Sequence, residues 1–215
     1  IIPEPTLKKY LKHLKRVNLE GSYYMRQHRF IDKDNITEEL ASFVGCNSKN
    51  LIITRNTTES LDLVISGFSW NKGDEAIYAV QDYGSMQDMF EQIEKRHNVT
   101  LRKVSVPNHP KNDEELIELY ESQITKKTKL IMVSHMINIT GHILPVKKIC
   151  KMAHKHGVKV LVDGAHCIGH FDFKIEDLDC DYYGSSLHKW LATPLGAGLL
   201  LSLIHISEPT RLSTI

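Results

Sequence analysis

The chain has 215 residues, with 27 Lys and Arg against 26 Asp and Glu, a formal net charge of +1 and 41% hydrophobic residues. Ordinary apolar content excludes a disordered chain, and a near-neutral balance argues against nucleic acid as a partner. No apolar run approaches the ~18 residues of a membrane span, so no membrane partner is expected.

The chain opens Ile1-Ile2-Pro3-Glu4-Pro5, without Met or a signal-peptide pattern, and is expected to be cut from something longer. Residues 1–34 are basic and aromatic (Lys8, Lys12, Arg16, Tyr23, Tyr24, Arg29) and read as a solvated amphipathic helical segment. Asn35-Ile-Thr-Glu38 has the capping-box pattern and predicts a helix from there through Phe43, which sets the main domain at residues 35–201.

From that point two periods alternate. Leu51-Ile-Ile-Thr54 predicts a strand, and a helix follows from near Glu59 through Ile65. Glu75 to Val80 is a short apolar strand behind the turn signal Lys72-Gly73-Asp74. Met86, Met89, Phe90 and Ile93 sit at helical spacing within Gly84 to Arg96. Val99 to Val106 alternates as a strand, and Asp113 to Ile124 reads as a helix capped by Asp113. Leu130 to Ser134 is a strand, Pro145 to His156 a helix stopped by Gly157, and Val158 to Val162 another strand. Strand–helix alternation means βαβ units. The expected fold is α/β, a mostly parallel sheet with helices on both faces.

Four scattered cysteines with no CxxC imply free thiols and a reducing cytoplasm. The histidine pairs His154/His156 and His166/His170 lack a third ligand at a recognised spacing, so no metal is expected. There is no G-x-G-x-x-G and no G-x-x-x-x-G-K-[ST], which weakens a nucleotide-binding reading.

Ligands of open parallel sheets bind beyond the carboxyl ends of the strands. The polar residues there are Asn56-Thr57-Thr58-Glu59, Asp82-Tyr83, His135 with Asn138, Asp163 with His166, and Ser185-Ser186-Leu187-His188-Lys189. Read singly, Thr58 serves equally as an N-cap, Asp163 as a turn residue, Tyr83 as a rim tyrosine and Asn138 as a turn former.

Read together, they resemble a known family. Val162-Asp-Gly-Ala-His-Cys-Ile-Gly169, Asp181-Tyr-Tyr-Gly-Ser-Ser-Leu-His-Lys-Trp190 and Pro194-Leu-Gly-Ala-Gly198 are similar to the class V aminotransferase-fold enzymes. Arg55-Asn-Thr-Thr-Glu-Ser60, Asp82-Tyr-Gly84 and Ser134 to Gly141 match in the same order. The isopenicillin N epimerase-like branch is the nearest in pattern, with cysteine desulfurases and selenocysteine lyases as relatives. The resemblance implies the large domain of a fold type I enzyme dependent on pyridoxal 5'-phosphate (PLP), with an antiparallel strand near Ala197 to Leu201.

It also implies roles. Lys189 would carry the cofactor as a Schiff base and shuttle a proton. Asp163 would anchor the pyridine nitrogen. Thr57, Thr58, Ser186 and His188 would cup the phosphate, Tyr83 would cover the ring face, and Asn138 and His166 would lie near the ring hydroxyl, His166 standing where desulfurases carry Gln. Lys189, Asp163 and His166 are thus the expected catalytic set. The buried surroundings predicted for Cys167 make it a poor nucleophile. The substrate would be an amino acid, for epimerisation, transamination or C–S lyase chemistry, and the intact protein a homodimer.

The family pattern stops after Leu201, before the smaller C-terminal domain with its substrate-carboxylate arginine. Residues 202–215 resemble translated adapter read-through and are assigned no function, although Leu203 to Ile206 would pass as a short strand. The chain alone is therefore expected to be marginally stable, and it reads equally as a PLP-binding fragment without turnover.

Overall fold

The computed structural model describes residues 2–203. The tail is outside this range beyond Leu203, as is most of the possible strand from Leu203 to Ile206.

Seven strands form one sheet: β1 Leu51–Thr54, β2 Glu75–Ala79, β3 Thr100–Val104, β4 Thr128–Ser134, β5 Lys159–Asp163, β6 Tyr182–Ser186 and β7 Gly198–Ser202. Their order is β1-β7-β6-β5-β4-β2-β3. Strands β2 to β6 pair in parallel, and β7 runs antiparallel to both β1 and β6. This is a mixed, mostly parallel sheet: the alternation predicts its parallel part, and the family resemblance implies the antiparallel β7.

Each strand divides its side chains between two cores. Ile77, Ala79, Ile131 and Val133 face one cluster, which α2 (Arg29–Val44), α5 (Asp113–Glu121) and α6 (Val146–Lys155) cover through Ala41, Leu116, Tyr120, Ile149 and Ala153. Ala76, Tyr78, Leu130 and Met132 face the other, closed by α3 (Thr57–Gly67) and α4 (Gly84–His97) through Leu61, Ile65, Met86 and Phe90. A sheet covered on both faces explains why its strands read as apolar runs rather than alternations. Each large side chain withdrawn from water contributes roughly 1.5–3 kcal/mol.

Local signals placed some boundaries wrongly. Asn35 does not open a helix, because α2 runs through it from Arg29. The Thr37 hydroxyl donates to the Lys33 carbonyl inside the helix at 2.8 Å, so this side chain is spent on the preceding turn and not on a cap. The boundary at residues 34 and 35 therefore falls within one helix. Asn56, not Thr58, caps α3, accepting the Glu59 N–H at 2.8 Å. Asn112, not Asp113, caps α5. In both cases the capping amide stands three residues before a Glu, and the residue behind it begins the helix. The N-terminal helix α1 (Glu4–Gln27) buries no side chain and meets α2 through the Tyr24 hydroxyl, which donates to Asp32 at 2.9 Å.

Candidate active site

The carboxyl ends of β4, β5 and β6 face the first turn of α3 across a cleft of about 200 Å³. Thr57, Thr58, Tyr83, Asn138, Asp163, His166, Ser186, His188 and Lys189 all line it. Residues separated by more than a hundred positions are brought together here because successive parallel strands deliver their ends to one edge.

One end of the cleft is built from hydroxyls and a helix start. Ser186 Oγ accepts the Thr57 N–H at 2.8 Å and lies 2.7 Å from Thr57 Oγ1. The Glu59 N–H is taken by Asn56, which leaves the Thr58 N–H of the first turn for a ligand. Gly198 permits this arrangement, since a Cβ there would come within 2.7 Å of the Asn56 backbone. His188 contributes a buried Nδ1 that has no hydrogen-bond partner among the described residues.

The floor is acidic. Asp163 ends β5, is buried, and accepts the Ala165 N–H at 2.9 Å. Burial pushes its carboxyl above the usual range. Asp82 is buried behind the cleft lining, near enough to feel the Asp163 charge. It accepts the Ser134 hydroxyl and the Ala79 N–H, each at 2.7 Å. Burial, aided by the Asp163 charge, raises Asp82 to about 7 against the pull of those hydrogen bonds.

Lys189 lies near Asp163 as a half-buried amine. Burial lowers its pKa, although Asp163 and Cys167 act in the opposite direction. Its Nζ lies 2.9 Å from His166 Nε2. Burial also lowers the His166 imidazole, with Lys189 and His170 adding to the effect. Tyr83 stands half-exposed at the rim, at the N-cap of α4, and Asn138 lies in the exposed turn after β4.

Other candidates belong to the scaffold. His135 is buried edge-on against Phe171, Phe173 and Tyr183, with Nδ1 3.1 Å from the Tyr183 hydroxyl. Burial drops it to about 4. Glu59 pairs with Arg55, and the Ser185 hydroxyl donates to the Gly164 carbonyl. Cys167 is buried, its thiol raised to about 12 by burial. His154 and His156 bind carboxylates of Asp181 and Glu121, and no cluster of three or more His, Cys, Asp or Glu suited to a metal occurs among the described residues. Sequence reasoning gave no role to Ser134, Met136, Leu61 or Met86, which also line the cleft. For Asn56 a signal was present, the Asn-x-x-Glu spacing of a helix start.

The Aminotransferase class-V family model matches residues 2–209. The chain belongs to this family. The family is PLP-dependent. Isopenicillin N epimerase of Streptomyces clavuligerus is 31% identical over 183 residues, which are 82% of this chain and 45% of that protein. A cysteine desulfurase of Escherichia coli is 31% identical over 173 residues, 78% of this chain and 41% of the relative. Among solved structures, a variant of the lyase C-DES with glycine covalently linked to its PLP cofactor gives a TM-score of 0.84 at 26% identity, covering 94% of this chain and 54% of that one. The fold is therefore that of the PLP fold type I large domain, and the chain spans about half the length of the relatives it matches.

Proposed function

We propose that the chain is the cofactor-binding part of a PLP-dependent enzyme that acts on an amino acid, with Lys189 carrying the cofactor. One observation supports this above the others: a lysine amine held below its ordinary pKa shares a cleft with a buried acid and an open helix start. Perturbed groups of this kind, gathered in one cleft, mark functional sites.

The residues present fit PLP. The unpartnered His188 Nδ1, the Thr58 N–H, and the hydroxyls of Thr57 and Ser186 form a set suited to a phosphate. Asp163, already buried, offers a carboxylate to a protonated ring nitrogen, and that positive charge would offset the burial that now favours its neutral form. Tyr83 is free at the rim to cover one ring face. Asn138 and His166, which line the same cleft, would lie near the ring oxygen.

When bound, PLP supplies an electron sink for the α-carbon of an amino acid. The protein's part is then divided among few groups. Lys189 would hold the cofactor covalently, and its amine when free would take a proton from the α-carbon or return one. Its lowered pKa makes the unprotonated form more accessible than in an ordinary lysine. Asp163 would hold the proton on the ring nitrogen. Relatives that include an epimerase, desulfurases and a lyase support epimerisation, transamination or C–S cleavage as the reaction class. The free thiols of all four cysteines support a reducing, cytoplasmic setting. The exposed Leu11, Leu19, Phe30 and Ile31 along α1 and α2 support a surface covered in a homodimer.

Addition of PLP to the purified chain should produce an absorption band in the near-violet. Lys189→Ala should remove it. A folded wild-type chain that shows no band would overturn the assignment.

A further inference from the structure

Trp190 follows Lys189 directly and contacts the other side of its histidine neighbour. The indole Nε1 lies 3.2 Å from His166 Nδ1. His166 Nε2 lies 2.9 Å from Lys189 Nζ. An indole N–H can only donate, so His166 Nδ1 is the accepting nitrogen. A neutral imidazole carries one proton, which must then sit on Nε2 and point at Lys189. That N–H needs a lone pair to receive it, and a lysine amine offers one only when neutral. The direction of both hydrogen bonds is thus fixed from the outer end, from Trp190 through His166 to Lys189.

The indole is itself held. The His170 ring stacks on it with centroids 3.9 Å apart and planes 12° from parallel. His170 Nδ1 donates to the His166 carbonyl at 3.0 Å, tying the two histidines into one turn. Gly169 closes that turn with φ of 81°, and a Cβ there would come within 2.8 Å of the Leu191 backbone nitrogen. The turn carrying His166 therefore seats directly on the segment carrying Lys189 and Trp190.

We propose that Trp190 is a positioning residue that locks His166 in its Nε2–H tautomer and, through it, holds Lys189 as the free amine. The use of that amine rests on the cofactor-bearing role proposed for Lys189; the tautomer does not. Three further titratable groups act on this pair. Asp163 and Cys167 favour the lysine cation, while His170 works against a charge on His166. His166, as a donor, opposes the lysine cation.

The test uses the full 215-residue chain, ¹⁵N-labelled and free of cofactor. Two-bond proton–nitrogen spectra at pH 8 should show His166 with a pyridine-type Nδ1 and a pyrrole-type Nε2, the signals being identified by their loss in His166→Gln. Trp190→Phe keeps a ring against His170 and removes only the donor. It should give a mixed or reversed tautomer. It should also slow acetylation of Lys189 by acetic anhydride at pH 7.5, roughly tenfold for each pKa unit regained. A wild-type His166 with a pyrrole-type Nδ1 would overturn the proposal, and so would a Trp190→Phe variant with unchanged tautomer and unchanged Lys189 labelling. Wild-type protein with the Nε2–H tautomer that never joins PLP would sink the cofactor reading alone.

Discussion

The two edges of the sheet both bury carboxylates and treat them oppositely. At the amino edge, Glu75 receives Arg102 at 2.8 and 3.0 Å and the hydroxyls of Thr125 and Thr128 at 2.6 and 3.2 Å. Arg102 and these hydroxyls hold its carboxyl below the usual range. Asp181 is met there by Lys159 at 2.7 Å, His154 at 2.9 Å and the Val160 N–H at 2.8 Å. At the carboxyl edge, Asp82 and Asp163 receive neutral donors instead, and burial raises both. The nearby lysine is pulled down. Pairing at one edge serves the fold. At the other edge Asp163 lines the cleft with Lys189 as its nearby charge and no hydrogen-bonded cation among the described residues, which suits the role proposed for PLP.

Substitutions at the two edges should therefore separate binding from stability. The largest effect is expected for Asp163→Asn. Loss of one partner of a buried charge pair costs about 2–5 kcal/mol, so the PLP dissociation constant, measured by absorbance titration, should rise about 30-fold or more. The unliganded fold should stay as stable, because a neutral amide resists burial less than a carboxylate.

Asp82→Asn tests the same edge through pH. The Asp82 pKa is raised from 3.8 to about 7 on folding, so the folded chain holds this proton more tightly. That contribution is complete below about pH 4 and is lost as pH rises through about 7. Three units correspond to at most about 4 kcal/mol. Urea midpoints of the wild type should decline over this window more than those of Asp82→Asn. Parallel profiles would remove the contrast between the edges.

The smallest effect is expected at the other edge. Glu75→Gln leaves Arg102 half-satisfied and should cost about 1–3 kcal/mol of stability, with PLP affinity unchanged. Weakened PLP binding in this variant would break the comparison outright.

The same division governs what was legible in the sequence. Strand cores such as Leu51–Thr54 stood out because a sheet covered on both faces needs apolar runs. The cleft residues stood out because strand ends converge on one edge, so a list of post-strand polar residues held most of the polar lining together with scaffold groups such as His135 and Ser185. Helix starts were less legible. Asn35 and Asn56 carry the same Asn-x-x-Glu spacing, yet only Asn56 leaves the helical conformation, with φ of −171° and ψ of 174°, and α2 runs on through Asn35. The burial of Asp82 and the contact of Trp190 with His166 were not legible at all. Both depend on how a turn seats against a distant segment, which no local pattern encodes.

The central claim is that Lys189 is the amine that carries PLP. Borohydride reduction of the PLP-treated chain, followed by proteolysis and mass spectrometry, tests it most directly. The account predicts a reduced phosphopyridoxyl group on the peptide containing Lys189, and its loss in Lys189→Ala. Modification spread over other lysines with Lys189 unmodified would contradict it.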